Sequence, residues 1–259
     1  MIISIVNHTH GHLKDEEVLH AIRAVNTQIA EDFEPYWSMG ARIRLERRSE
    51  RRPDPKDGAD LRGDAIIYLW DKIAPDDALG YHDKTDQGLP YGFVFTELAD
   101  QLKEDWRTTL SHEVLELIAD PEANLLVRGP SPTEDDGIAY YWYEMCDPVQ
   151  EETYNIGDVP VCNFVLPLYF TSGKELHGRN DFLGRGHDGK GTLQSFGVNP
   201  GGYIGYYNPE TGKAGMLHRP GDQRAEERLR IKDKALAARV ISRSHRRAAP
   251  PRRFSKDGR

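Results

Sequence analysis

The segment from Trp106 to Pro121 constrains the fold of this 259-residue chain more than any other stretch. Its apolar residues recur at helical spacing, which predicts a helix from about Asp105 to Ala119. Pro121 forces that helix to stop, because proline cannot continue the backbone hydrogen bonds. On such a helix His112 and Glu116 lie one turn apart on the same face. The rest of the chain must therefore build a fold around a helix that presents an imidazole and a carboxylate side by side.

The residue types at this spacing indicate metal chemistry. In the HExxH pattern two side chains of one helix hold a zinc ion, and the glutamate between them serves as general base. This chain has HExxE instead, with Glu113 in the place of the base. His112 and Glu116 then supply two ligands, and at least one more must come from elsewhere.

Three acids downstream are candidates for the missing ligand. Asp120 lies roughly 12 Å along the helix axis from His112, so it can reach the same ion only if the Asp-Pro step breaks the helix and turns back. Glu144 and Asp147 follow an aromatic segment that predicts a strand, and a later strand can fold its acids over the helix. One imidazole and two carboxylates suit Zn²⁺ and also Mn²⁺. An all-oxygen cluster of Asp120, Glu144 and Asp147 would suit Ca²⁺ instead.

The order of the predicted elements indicates an α+β fold. A helix with apolar residues at helical spacing is expected over 14–33, and residues 75–90 are expected to form a loop. The strand at 92–97 is expected at the edge of the sheet, next to the metal-binding helix. Strands are predicted at 2–8, 41–46, 64–70, 92–97 and 138–148, the last with its acids at the end. Hairpins are predicted at 153–170, with Gly157-Asp158 as the turn, and at 201–213.

The charge is divided unevenly along the chain. Residues 221–259 hold 13 Lys and Arg against 5 Asp and Glu, whereas the other 220 residues hold 21 against 37. We therefore expect a domain over 1–220, a charged helix over 221–241 and a disordered basic tail over 242–259. Such a tail can contact nucleic acid or a protein partner, although a solvated end is the simpler interpretation.

Two features bear on the cellular compartment. The first residues predict a strand and lack the basic and small-residue features of a signal peptide. Cys146 and Cys162 do not make a disulfide framework and are expected to be reduced core thiols. No apolar run has the length of a membrane helix, so we expect a cytoplasmic protein without membrane contact.

Several motifs together resemble a family of uncharacterised bacterial and phage proteins that are regarded as zincin-like metallopeptidases. The resemblance covers roughly residues 60–205 and lies in HExxE with its Asp-Pro, in the later E-x-C-D at Glu144 to Asp147, and in the segments 80–83, 89–92, 163–170 and 200–203. It implies a zincin-like fold, in which a twisted mixed sheet with a backing helix precedes the active-site helix. It also implies zinc held by His112, Glu116 and either Glu144 or Asp147. The second helix histidine and the Met-turn of metzincins are missing here.

Two further residues are candidates for the substrate cleft. His82 precedes the expected edge strand, and Tyr203 follows a Gly-Gly pair and could stabilise an oxyanion; a structural hydrogen bond and core packing are the simpler roles. Two functions follow from these observations. The first is a zinc metallopeptidase acting on peptide or protein substrates with Glu113 as base. The second is an inactive zincin-like binding or structural protein of phage or prophage type, associated with a virion or with nucleic acid through its tail.

Overall fold

The structure is a computed structural model. It describes residues 1–46, 62–71, 79–85, 87–171, 179–184, 193–223, 225–227 and 230. The basic tail expected at 242–259 lies outside these ranges, as does most of the helix expected at 221–241. Across the described part of the chain the fold is α+β, with several sheets and a few helices.

The largest sheet has five strands in the order β2-β1-β3-β5-β4. Strands β1, β2, β3 and β5 run parallel, and β4 pairs antiparallel with β5 at the edge. β3 reads Ala-Ile-Ile-Tyr-Leu-Trp and is buried along nearly its whole length, as expected for a parallel strand covered on both faces. The bounds are β1 Ile2–His8, β2 Arg42–Glu46, β3 Ala65–Trp70, β4 Gly80–Lys84 and β5 Pro90–Phe95.

The expectation of a loop over 75–90 is wrong, because β4 occupies Gly80–Lys84. The expected edge strand is therefore the second strand from the edge, and β4 takes the edge position. β4 contains a glycine and two charged residues, so its strand propensity is low. It forms because its backbone pairs with β5, from Gly80 opposite Val94 to Lys84 opposite Pro90.

The first helical region lies where a helix is predicted, over 14–33, but only its first part is an α-helix. Helix α1 covers Asp15–Thr27, and Glu17 accepts a hydrogen bond from the backbone N–H of Lys14 at 2.8 Å. The chain then widens into a π-helix over Gln28–Phe33, followed by the short helix α2 at Glu34–Trp37. The periodicity of apolar residues does not distinguish these helix types.

Two helices follow β5. Helix α3, Thr96–Leu102, begins directly after β5, and helix α4 covers Trp106–Ala119. Asp105 caps α4 by accepting a hydrogen bond from Arg107 N at 2.9 Å. The helix ends before Pro121, as the sequence predicts. Nine of its 14 residues are buried, because it packs against the large sheet on one side and against the hairpin described next on another.

The second half of the chain forms smaller sheets. The hairpin predicted over 153–170 is confirmed only as far as Cys162: β8 is Thr153–Ile156, β9 is Val159–Cys162 and the turn lies at Gly157, whereas Pro167–Phe170 is a 3-10 helix. The hairpin β10 Tyr203–Asn208 and β11 Lys213–His218 confirms the second prediction. β10 also pairs with β7, Ile138–Trp142, which pairs with the unpredicted β6, Leu126–Pro130. The resulting four-stranded antiparallel sheet has the order β11-β10-β7-β6.

A hydrogen-bond network fixes the back of α4. Ser111 Oγ donates to Gln28 Oε1 at 2.6 Å and accepts from Cys162 N at 3.1 Å, and Gln28 Nε2 donates to the carbonyl of Cys162 at 2.8 Å. The π-helix, α4 and β9 are thereby tied together. Cys146 and Cys162 are free buried thiols, as predicted, with their Sγ atoms 3.6 Å apart.

A second buried network centres on Asn163, which is fully buried. Its Nδ2 donates to Glu152 Oε2 at 2.7 Å and to Asp181 Oδ2 at 2.9 Å. Asn199 Nδ2 donates to the other oxygen of Glu152 at 2.6 Å. One amide therefore holds two buried carboxylates from different segments.

Most buried apolar residues belong to one cluster that includes Ile3 in β1, Val114 in α4 and Ile204 in β10. The large sheet, α4 and the antiparallel sheet thus share a core. Where the structure describes helices, each is too short or too polar to cross a membrane.

Candidate metal centre

Helix α4 brings His112 and Glu116 together as its sequence predicts. His112 Nε2 lies 3.2 Å from Glu116 Oε2. The apolar stripe that seats the helix includes Leu110, Val114 and Leu117, all fully buried, so the helix cannot rotate without exposing core residues. The His112 side chain is 14% exposed and that of Glu116 is 2% exposed. His112 is therefore the side of the pair that solvent can reach.

Asp147 completes a cluster of three side chains. It begins the 3-10 turn Asp147–Val149 after β7, and its Oδ1 lies 3.2 Å from His112 Nε2. The ligand atoms of His112, Glu116 and Asp147 all lie within 4.8 Å of one another. Of the downstream acids, Asp147 is thus the one that joins the helix pair.

The other two acids occupy different positions. Glu144 is 3% exposed and close enough for its charge to act on Glu116, but it is not a member of the cluster. Asp120 caps the turn after α4, where it accepts hydrogen bonds from Asn124 N at 3.0 Å and Leu125 N at 2.9 Å. In the described chain, Asp120, Glu144 and Asp147 do not form the all-oxygen group that Ca²⁺ would require.

Two contacts from outside α4 orient the carboxylates of the cluster. The Tyr203 hydroxyl donates a hydrogen bond to Asp147 Oδ1, and the backbone N–H of Cys146 donates to Glu116 Oε1 at 3.1 Å. Tyr203 is 5% exposed, so this hydrogen bond lies in the interior of the protein. Its position explains why a tyrosine follows the Gly-Gly pair: the hydroxyl positions a carboxylate of the cluster.

Glu113 and His82 form the neighbouring part of the site. Glu113 is 4% exposed, and its Oε2 lies 3.5 Å from His82 Nδ1. A Cβ atom on Gly80 would come within 2.8 Å of both Glu113 Cγ and Oε1, so the glycine makes room for this side chain. His82, the other candidate for the substrate cleft, is fully buried beside Glu113. It faces Glu113 and Glu116 because β4, paired with β5, packs against α4.

The charges of the cluster act strongly on one another. Burial lowers the pKa of His112, but Glu116 and Asp147 outweigh it and hold that pKa well above 6.5. Burial and the charges of Glu144 and Asp147 raise the pKa of Glu116 well above 4.5, although His112 opposes them. Three carboxyl groups and one imidazole are thus crowded together in a buried place.

The arrangement fits a divalent ion. With ligand bonds of about 2.0–2.2 Å, two ligands of a tetrahedral zinc ion lie about 3.3–3.5 Å apart. The two 3.2 Å distances from His112 Nε2 are close to this value. An ion of charge +2 would also offset the buried carboxylates. One imidazole and two carboxylates suit Zn²⁺, and Mn²⁺ as a harder alternative.

The sequence gives only a weak indication that Gly80 and His82 belong to the site. Gly80 and His82 belong to a Gly-Tyr-His-Asp segment that stood out as a motif, but only the pairing of β4 with β5 places them against Glu113. Neither a protein-family model nor a curated protein matches this chain.

Proposed function

We propose that this protein is a metal-dependent hydrolase, most specifically a zinc metallopeptidase of zincin type. The observation that carries the proposal is the convergence of His112, Glu116 and Asp147 within 4.8 Å, with Glu113 on the same helix. An inert module does not require these residues to converge. Helix α4 supplies His112 and Glu116, and the turn after β7 supplies Asp147. These two segments are about 30 residues apart in the sequence, and the hydrogen bond from Cys146 N to Glu116 also joins them.

The architecture supports the zincin comparison. Four parallel strands and an antiparallel edge strand form a mixed sheet, and α4 lies next to that edge. Helix α1 packs on the same sheet beside β2. A mixed sheet with one backing helix, followed by an edge strand and the metal-binding helix, is the order expected for a zincin domain.

His112, Glu116 and Asp147 would hold the ion. When bound, Zn²⁺ polarises a substrate carbonyl and lowers the pKa of water. Glu116 is held by the N–H of Cys146 and Asp147 by the hydroxyl of Tyr203, so both carboxylates are oriented before an ion arrives. Partners of this kind typically change metal affinity 10- to 100-fold when removed.

Glu113 would act as general base. It follows His112 directly on α4, and Gly80 leaves it space at the sheet edge. In this role its carboxylate takes the proton of an attacking water and passes it to the leaving amine of a peptide. His82, 3.5 Å from the carboxylate, limits where Glu113 can move.

The test is metal analysis and peptide hydrolysis on the full chain. Purified wild type is expected to carry one tightly bound zinc, and His112→Ala to lose it. Glu113→Gln should retain that zinc and lose hydrolysis of a peptide pool. His218→Ala, at the exposed end of β11, is the matched control and should behave as wild type. Zinc-free wild type prepared without chelators would refute the metal centre. Retained hydrolysis in Glu113→Gln would refute the role of the base.

A second candidate function rests on the basic tail. Residues 221–259 hold 13 Lys and Arg against 5 Asp and Glu, so a zincin-like binding protein could use them to contact nucleic acid. Salt-dependent binding of duplex DNA that disappears on deletion of 242–259 would support this function. Affinity that is unchanged by the deletion would refute it.

A further inference from the structure

A second cluster of three ligand-capable side chains adjoins the first. The ligand atoms of His82, Glu113 and Glu116 lie within 4.8 Å of one another, and all three residues are buried. His82 Nδ1 is 3.5 Å from Glu113 Oε2 and 4.0 Å from Glu116 Oε2. The edge strand β4 supplies the histidine, and α4 supplies both glutamates.

A hydrogen bond between His82 and Glu113 does not account for their contact. A separation of 3.5 Å exceeds a normal N–H···O hydrogen bond. Glu113 Oε2 is buried, and among the atoms that the structure describes it has no hydrogen-bond partner. A buried carboxylate oxygen without a hydrogen-bond partner destabilises the folded state, and it does so more than a neutral polar group would. The distance does match the spacing of two ligands on one zinc ion, about 3.3–3.5 Å for bonds of about 2.0–2.2 Å.

The second cluster cannot be part of the first ion's coordination. Ligands on opposite sides of one ion with bonds of about 2.1 Å lie about 4.2 Å apart. In the described chain, His82 shares no 4.8 Å group with His112 or Asp147. Glu116 belongs to both clusters, and its Oε2 lies between the imidazoles, 3.2 Å from His112 Nε2 and 4.0 Å from His82 Nδ1.

We propose that His82, Glu113 and Glu116 form a second divalent-cation site, joined to the first by Glu116 as a bridging carboxylate. One imidazole and two carboxylates are a ligand set that suits Zn²⁺ and Mn²⁺. The carboxylates of Glu113 and Glu116 can together balance the charge of the ion, and His82 supplies Nδ1 as the imidazole ligand.

The second ion binds more weakly than the first. It shares Glu116 with an ion already in place, and the two positive charges repel each other across a short distance. We expect its dissociation constant to be about tenfold higher or more. The consequence for catalysis rests on the proposed function: an ion bound to Glu113 occupies the general base, so excess metal inhibits hydrolysis.

The experiment is equilibrium dialysis of the full-length apo protein against Zn²⁺, with metal and protein quantified in the same samples. Wild type is expected to bind two equivalents in two classes. His82→Gln and Glu113→Gln should each lose the weaker class and keep the tight one, whereas Asp147→Asn should lose the tight class. His20→Ala, an exposed histidine on α1, should keep both classes and controls for adventitious surface binding.

The outcomes separate this inference from the proposed function. One tight equivalent that is insensitive to His82→Gln and Glu113→Gln refutes the second site and leaves the proposed function intact. Two equivalents that both survive these substitutions also refute it. Binding of no zinc at all refutes both. Glu113→Gln is nearly isosteric, so it tests the site even if the buried His82 variant does not fold.

Discussion

Substitution of Glu116 by glutamine is expected to stabilise the metal-free protein while removing its response to metal. Burial, Glu144 and Asp147 raise the pKa of Glu116, which means that its ionised form is unfavourable in the folded state. Glutamine removes that charge and keeps the shape. Its carbonyl can still accept from the backbone N–H of Cys146, which lies 3.1 Å from Glu116 Oε1 in the wild type.

The magnitude follows from the position of this charge. Removing an unfavourable charge at a functional site typically gains about 0.5–2 kcal/mol. For a chain of this size, about 1 kcal/mol shifts Tm by about 2–4 °C, so the apo variant should melt about 1–8 °C higher than apo wild type. Zinc at 100 times its Kd adds about 2.7 kcal/mol to the free energy of unfolding of the wild type, which raises its Tm by about 5–11 °C. The Tm of the variant should not rise comparably, because the variant lacks the Glu116 ligand.

The pH dependence has a definite sign. The pKa of Glu116 is raised by folding, so the stability that its proton provides is lost as pH rises above the ordinary carboxyl value of about 4.3. The pKa of His112 is also raised, so its contribution is complete below about 6.5 and is lost as pH rises through the higher folded value. Apo wild type should therefore lose stability from mildly acidic to alkaline pH, and Glu116→Gln should lose less.

Thermal unfolding of apo and zinc-loaded protein between pH 5 and 9 measures the Tm of the apo variant, the Tm shift caused by zinc, and the pH dependence of stability. Glu210→Gln, in the exposed turn between β10 and β11, controls for the loss of a surface charge and should leave Tm unchanged. A Glu116→Gln variant that melts lower than wild type and keeps the full zinc shift would refute the reasoning. Glu116 would then be a structural hydrogen-bond acceptor and not a ligand.

Three further predictions concern contacts around the site and the core. Tyr203→Phe removes the hydrogen bond to Asp147, so Kd for the tight zinc should rise about 10- to 100-fold in dialysis. Gly80→Ala places a Cβ 2.8 Å from Glu113 Oε1, so hydrolysis should fall about 100-fold while the tight zinc equivalent is retained. Asn163→Ala removes the donor shared by two buried carboxylates, so the free energy of unfolding in urea should fall by about 2–4 kcal/mol.

Each of these has a contradicting result. A Tyr203→Phe variant with wild-type zinc affinity would show that the hydroxyl does not orient Asp147; Tyr140→Phe, on half-buried β7, is its control. Loss of zinc in Gly80→Ala would show that the glycine supports the ligands and not the base. Asn155→Ala, an exposed asparagine in β8, controls for Asn163→Ala, and equal stability of the two variants would disprove the role of the network.

The sequence alone determined the elements whose causes are local. The apolar spacing and Pro121 predicted α4 to within a residue at each end, and the helical geometry placed His112 and Glu116 on one face. The hairpin with its turn at Gly157 followed from turn chemistry between apolar segments. Such features depend on neighbours three or four residues away, and those neighbours can be read from the chain.

Tertiary structure decided everything that depends on distant segments meeting. Periodicity could not show that β4 forms at all, since its residues favour a loop and only pairing with β5 makes it a strand. Periodicity could not show whether Glu144 or Asp147 joins the cluster. The two residues are close in the sequence, and only the packing of the turn after β7 on α4 brings the side chain of Asp147 to His112. Periodicity also could not place Tyr203 beneath Asp147 or His82 beside Glu113. Those contacts join segments 56 and 31 residues apart, and the packing of the shared core sets them.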